Sequence, residues 1–184
     1  KKEIKKDLKN PVKLLFPARL LKEKGIEELI NAHKLVLEKK FDVLLIIAGD
    51  IDTGNRSSLK IDSLKKLKSE KNIKILGHVS NMKKLFEEVD IVILPSWREG
   101  LSKTLIEAGA MGKPVITSDV PGCNSIIEHG TDGILVPVKD EKALALAIIF
   151  MIRNYKLAIK FGKALKTKVK KRFDSNKINK DTLN

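Results

Sequence analysis

Apolar residues along this chain recur in two registers. Short, nearly continuous runs at residues 12–18, 42–49, 73–76, 90–95, 115–117 and 134–138 read as six strands, and runs of this kind are buried on both faces of a sheet. Between them the spacing turns helical. Ile26, Leu29, Ile30, His33, Val36 and Leu37 form one stripe, and residues 59–69, Met82–Glu88 and 102–111 form further helices. A turn at residues 118–123 leads into a short helix, and residues 143–151 and 154–171 follow the sixth strand as two more. The last carries Leu157, Phe161, Leu165 and Val169 on one side and lysine on the other. Strand and helix alternate throughout, which predicts an α/β fold with a doubly wound parallel sheet of about six strands. Ligands of such sheets bind beyond the carboxyl ends of the strands.

The stretch that concentrates chemistry at that edge is Ser96 to Thr117. It runs from strand through loop and helix to strand. Its helix, with Leu105, Ile106, Ala108, Ala110 and Met111, is apolar almost all round, so it is expected to be buried. Glu107 falls in the middle of it, where a carboxylate needs a partner. Glu99 stands eight positions earlier, in the loop. Between the two glutamates, Gly100, Leu101, Ser102, Lys103 and Thr104 form the helix entrance, whose unpaired N–H groups and positive dipole end favour an anion such as phosphate. From the first turn to Glu107 is about 6 Å along the axis, a span suited to a diphosphate at one end and a ribose diol at the other. The competing reading is structural. Thr104 and Glu107 have the spacing of a capping box, in which the glutamate only bonds the backbone at the helix start.

Upstream, Arg19 and Lys24 lie just past the first strand, on the same edge. Gly49, Gly77 and Gly122 also follow strands there.

The segment Glu99-Gly-Leu-Ser-Lys-Thr-Leu-Ile-Glu107-Ala, followed by Gly112-Lys-Pro-Val-Ile-Thr-Ser-Asp, resembles the two-glutamate signature of retaining glycosyltransferases of family 4. These enzymes have the GT-B fold, two Rossmann-like domains with the signature in the C-terminal, donor-binding one. The resemblance extends from Val12 to about Met151. It implies that this chain is one half of a GT-B fold and binds a nucleotide-diphosphate sugar, with Arg19 and Lys24 on the diphosphate. Gly100, Leu101, Ser102, Lys103 and Thr104 would meet the same phosphates. Glu107 would take the ribose hydroxyls, and Glu99, the catalytic candidate, the transferred sugar. The base would sit near Gly77-His78-Val79, held largely by backbone groups. The resemblance implies a polysaccharide or lipid-linked glycan as acceptor, retention of anomeric configuration, no cofactor and no metal. It also implies an N-terminal acceptor domain, absent from this chain, without which turnover is poor. Two positions depart from the family: Ala18 and Ser102 both stand where glycine is common.

Charge first suggests a different partner. A net charge of +14 invites a nucleic-acid or anionic-surface module, but residues 1–10 carry +3 and residues 153–172 carry +9, leaving +2 for residues 11–152. The ends are basic and the body is nearly neutral, so nucleic acid is not the expected partner. Residues 1–10 read as a linker remnant, 11–152 as the nucleotide-sugar domain and 153–184 as a basic helix and tail. That helix has three readings: contact with an anionic membrane surface, a return toward the missing domain that the resemblance implies, or a solvated lysine face. The solvated face ranks first for any single lysine; for the stripe, packing against protein is favoured over lipid. A second competitor is another GT-B enzyme such as a sugar-nucleotide epimerase, which would use the same cleft with its own acid and base.

Other reactive residues add little. Cys123 is the only cysteine, which fits a reducing compartment. Near a helix start its thiol pKa is open to lowering, yet no histidine or second cysteine stands at useful spacing, so a structural role is expected. His33, His78 and His129 form no metal-ligand pattern, and His78 has no carboxylate near it in sequence. Trp97 is expected to pack on the core rather than flank a sugar ring. No apolar run reaches the length of a membrane span, and no signal peptide opens the chain. The expected location is cytoplasmic, with peripheral association at the inner membrane face. Lys1 in place of an initiating methionine reads as the start of an excised piece of a longer protein.

Overall fold

The computed structural model describes residues 11–52, 54–55 and 57–173. The linker read at 1–10 and the tail beyond Phe173 lie outside the described residues.

Six strands, β1 (Val12–Phe16), β2 (Val43–Ala48), β3 (Ile73–Gly77), β4 (Ile91–Leu94), β5 (Val115–Ser118) and β6 (Ile134–Val136), form one sheet in the order β3-β2-β1-β4-β5-β6. Every pairing is parallel. Strand β1 is central: Leu14 lies opposite Leu45 of β2 on one side and Ile91 of β4 on the other, and all three are fully buried. Burial on both faces explains why these strands read as unbroken apolar runs. Strands β1, β2, β4 and β6 end earlier than their apolar runs suggest. Pro17 follows the end of β1 and Pro137 that of β6, because proline has no N–H to give the ladder.

The chain steps from β1 out to β3, returns to β4 and then steps the other way to β6. The reversal puts β1 beside β4, and an open α/β sheet forms its ligand crevice beyond the carboxyl ends of such a pair.

Helices α1 (Ile26–Glu38), α2 (Ile61–Ser69), α3 (Met82–Glu88), α4 (Lys103–Ala110), α5 (Pro121–Asn124), α6 (Glu141–Arg153) and α7 (Tyr155–Phe173) complete the fold. Helix α1 packs on α6, and α4 packs on α7. Helix α6 begins before its apolar periodicity does, because the Asp140 carboxylate accepts from the Ala143 N–H at 2.8 Å and caps it.

The α4–α7 contact is made close by glycine. A Cβ on Gly109 would come within 2.7 Å of Val169 Cγ2, and one on Gly162 within 2.2 Å of the Gly112 carbonyl oxygen. The stripe of α7 is therefore spent on α4, with Ala158, Phe161, Gly162, Leu165 and Val169 buried. Leu157, expected in that stripe, is instead exposed in the first turn. Among the described residues no helix is long and apolar enough to cross a membrane.

Candidate functional site

Three glycines draw the loops at the carboxyl edge together. Gly25 ends a 3-10 turn, Lys22–Lys24, in the left-handed region at φ 74°, and a Cβ there would lie 2.0 Å from the Pro95 carbonyl oxygen. Only glycine permits that approach. It sets the loop after β1 against the loop after β4. A Cβ on Gly49 would likewise lie 2.0 Å from the Ala18 carbonyl oxygen, and Gly122 supports the far side of the β4 loop. Further bonds fix the crossing: the Leu20 N–H donates to the Asp50 carbonyl at 3.1 Å, and the Trp97 N–H to the Glu23 carbonyl at 2.9 Å.

Lys24 and Glu99, far apart in sequence, meet as a result. The ammonium of Lys24 donates to Glu99 Oε1 at 2.7 Å, and the hydroxyl of Ser96 donates to the same oxygen at 2.7 Å. The Glu99 side chain is only 11% exposed, and Ser96 is fully buried. A cavity of about 450 Å³ opens over this cluster, its lining including Arg19, Glu23, Lys24, Arg98, Glu99 and Gly100. Arg19 is exposed at its rim, with Nη1 2.9 Å from Asp52 Oδ2.

Helix α4 begins beside this cavity, and its entrance is not capped by its own side chains. Ser102 occupies the N-cap with extended backbone and makes no side-chain cap bond. Thr104, already inside the helix, turns its hydroxyl to the Pro17 carbonyl at 3.4 Å. The capping-box reading of Thr104 and Glu107 is thereby replaced: Thr104 ties α4 to the end of β1 instead. Leu101 is 59% exposed, and Lys103 is exposed beside it.

Glu107 is a correction. The composition of α4 suggested burial all round, but only Leu105, Ala108 and Gly109 are buried within it, and Glu107 and Ala110 are exposed. The helix is shorter than the apolar run and packs one face on α7. Glu107 lines a second cleft of about 540 Å³ with Ala110 and Met111 at the end of α4, facing Ser80, Asn81 and the α3 residues Met82 and Phe86. The two glutamates thus front two separate clefts, Glu99 the one beside the α4 entrance and Glu107 one along the second half of α4.

Other expectations change in detail. His78 does have a carboxylate near it, since Asp50 at the end of β2 lies 3.8 Å from its Nδ1, both side chains being exposed. Trp97 is half-buried rather than in the core: its indole N–H donates to Glu28 Oε1 at 3.0 Å, and the Lys139 ammonium sits 4.0 Å above the ring. Cys123 is fully buried, and burial pushes its thiol up to about 11, opposite in direction to a reactive thiolate. His129 accepts from the Leu135 N–H at 3.0 Å, holding its turn. No group of three His, Cys, Asp or Glu side chains among the described residues is placed to hold a metal ion.

Sequence reasoning missed Ser96 and Asp52. Ser96 stands three residues before Glu99, but in a loop that spacing implies no contact. Asp52 had no signal, because nothing in its own loop points to Arg19.

Similar proteins share this architecture. A family model described as glycosyl transferases group 1 matches residues 1–168. The capsular polysaccharide biosynthesis glycosyltransferase CapM of Staphylococcus aureus is 31% identical over 163 residues, covering 89% of this chain and 42% of that protein. The N,N'-diacetylbacillosaminyl-diphospho-undecaprenol alpha-1,3-N-acetylgalactosaminyltransferase of Campylobacter jejuni is 30% identical over 155 residues, 84% of this chain and 39% of its own. Among solved structures, Anabaena Alr3699/HepE in complex with UDP matches with a TM-score of 0.84 and 26% identity, over 95% of this chain and 48% of that one. The chain spans less than half the length of each of these proteins. With residues 1–168 of 184 matched by the family model, the chain belongs to the group 1 glycosyl transferases.

Proposed function

We propose that this chain is the donor-binding half of a glycosyltransferase that moves a sugar, with retention, from a nucleoside-diphosphate sugar to a polysaccharide or lipid-linked acceptor. The observation that carries the reading is the meeting of Lys24 and Glu99 beyond the ends of β1 and β4, next to the unpaired entrance of α4. A cation, a carboxylate and a row of free N–H groups there match the diphosphate and hydroxyls of such a donor.

Arg19 and Lys24 would neutralise the diphosphate, and backbone N–H groups of Gly100, Leu101, Ser102, Lys103 and Thr104 would bond it. A lysine ammonium is a point charge on a flexible stem, so Lys24 can turn from Glu99 toward a phosphate oxygen. Glu107, exposed on the second cleft, would accept the ribose hydroxyls, and Glu99 would accept hydroxyls of the transferred sugar. The chemistry assigned to these residues is positioning and stabilisation of the departing diphosphate by fixed donors and cations, with no metal or cofactor required. The acceptor would come from an N-terminal domain outside this chain, and without it donor would bind but turn over slowly. HepE in complex with UDP supports the nucleotide, and the Campylobacter relative supports a lipid-linked acceptor. The site needs no nucleic acid.

The test is a thermal-shift screen of the 184-residue chain against UDP, GDP, ADP and their sugar conjugates. One nucleotide series should raise the melting temperature, and the absence of a shift with every member would refute the reading.

A further inference from the structure

We propose that Ser96 is a positioning residue that aims Glu99 at the donor sugar, a role that rests on the donor-site reading above.

Both hydrogen bonds to the Glu99 carboxylate fall on one oxygen. Lys24 Nζ and Ser96 Oγ each lie 2.7 Å from Oε1. A carboxylate has about four acceptor positions over its two oxygens, so this arrangement leaves Oε2 to accept from a ligand. The two holders differ in kind. Lys24 is a point charge on a flexible stem, 24% exposed and lining the cavity, and an incoming diphosphate competes with Glu99 for it. Ser96 is fully buried, one residue beyond Pro95, whose carbonyl is pressed against Gly25. Its hydroxyl is shielded from solvent and committed to Oε1. When Lys24 shifts toward an anion, Ser96 is the contact that keeps Oε1 fixed and Oε2 presented. Glu99 thus needs Ser96 most when donor is bound.

A merely structural serine would behave differently in a binding experiment. Titration calorimetry on the full 184-residue chain with UDP, GDP and ADP, and with UDP-glucose, GDP-mannose and ADP-glucose, separates the diphosphate from the sugar. For the nucleotide that binds, Ser96→Ala should leave nucleoside-diphosphate affinity within about twofold and reduce the extra affinity conferred by the sugar about tenfold, the usual weight of one hydrogen bond to a charged group. In a Glu99→Ala background the same substitution should cost nothing further, because the two residues act as one unit. Ser96→Thr, which keeps the hydroxyl, should restore the sugar preference; if its methyl group does not fit the buried site, the double-mutant cycle decides alone. Equal losses for diphosphate and sugar conjugate, an undiminished loss in the Glu99→Ala background, or no loss at all would each overturn the role of Ser96 while leaving the donor reading intact. Failure of the unmodified chain to bind any of the six probes would overturn the donor reading itself.

Discussion

Gly122 lies so close beneath the loop after β4 that a Cβ on it would stand 1.8 Å from the Gly100 carbonyl oxygen and 2.3 Å from that of Glu99. Both obstacles are backbone, so nothing at the far end of a side chain is available to give way. Gly122→Ala should therefore displace the loop that carries Glu99 and the α4 entrance, at a cost of about 3 kcal/mol or more. Chemical denaturation measures the cost, and nucleotide affinity should fall with it. An alanine variant with unchanged stability and binding would mean that the two loops are not in contact.

The neighbouring residue, Cys123, carries a pH prediction. Its thiol is fully buried and its pKa is pushed up to about 11, chiefly by burial, whereas an unfolded thiol ionises near 8.5. Below about pH 8.5 both states hold the proton and the stabilisation is fully present. Between about 8.5 and 11 the unfolded chain ionises first, so stability falls as pH rises through that window, by roughly 2–3 kcal/mol in all. Wild type should lose that much more than Cys123→Ala between pH 8 and pH 11 in urea denaturation. Identical losses would contradict it. Alkylation by iodoacetamide should be slow in the native state for the same reason.

Periodicity carried most of the fold, because strands covered on both faces advertise themselves as apolar runs and the helices between them show one clear stripe. Val12–Phe16 and Ile91–Leu94 were legible for that reason. Less legible was how much of α4 would be covered. Ala110 and Ile106 are as apolar as Ala108, and only the placement of α7 decides that Ala108 is buried and Glu107 is left facing a cleft. The candidate site divides the same way. Glu99, Arg19 and Lys24 were visible because each follows a strand end, and Glu107 because it is a carboxylate in an apolar helix, but Ser96 and Asp52 depend on how loops from different strands cross. That crossing is set by glycines at 25, 49 and 122, whose close approaches leave no trace in local pattern.

Lys24 has two duties that substitution can separate. Removing its ammonium leaves the largely buried Glu99 carboxylate with Ser96 alone, an imbalance expected to cost about 1–3 kcal/mol of stability. It also removes a cation from the proposed diphosphate site, lowering nucleoside-diphosphate affinity about ten- to a hundredfold. Lys24→Ala with Glu99→Ala should recover much of the stability, since no charge is then left unpaired, and should recover none of the affinity. Melting curves and calorimetry on the single and double variants check this. Recovery of both together would make Lys24 a purely structural cation.

Glu107 offers the complementary case, a proposed binding residue with little structural duty. It is exposed on the face of α4 away from α7, and the capping role that would have given it a share in stability is not formed, because Ser102 holds the N-cap and Thr104 bonds Pro17. Glu107→Ala should therefore leave stability within about 0.5 kcal/mol. Nucleoside-diphosphate affinity should nevertheless fall about ten- to a hundredfold, because hydrogen bonds from two ribose hydroxyls to a carboxylate are charge-assisted and are lost together. A 2′-deoxynucleoside diphosphate supplies the independent check: it should bind wild type more weakly than the ribonucleotide and bind Glu107→Ala no differently from it. If the variant still distinguishes the two sugars as wild type does, the ribose is read elsewhere and Glu107 is not its acceptor.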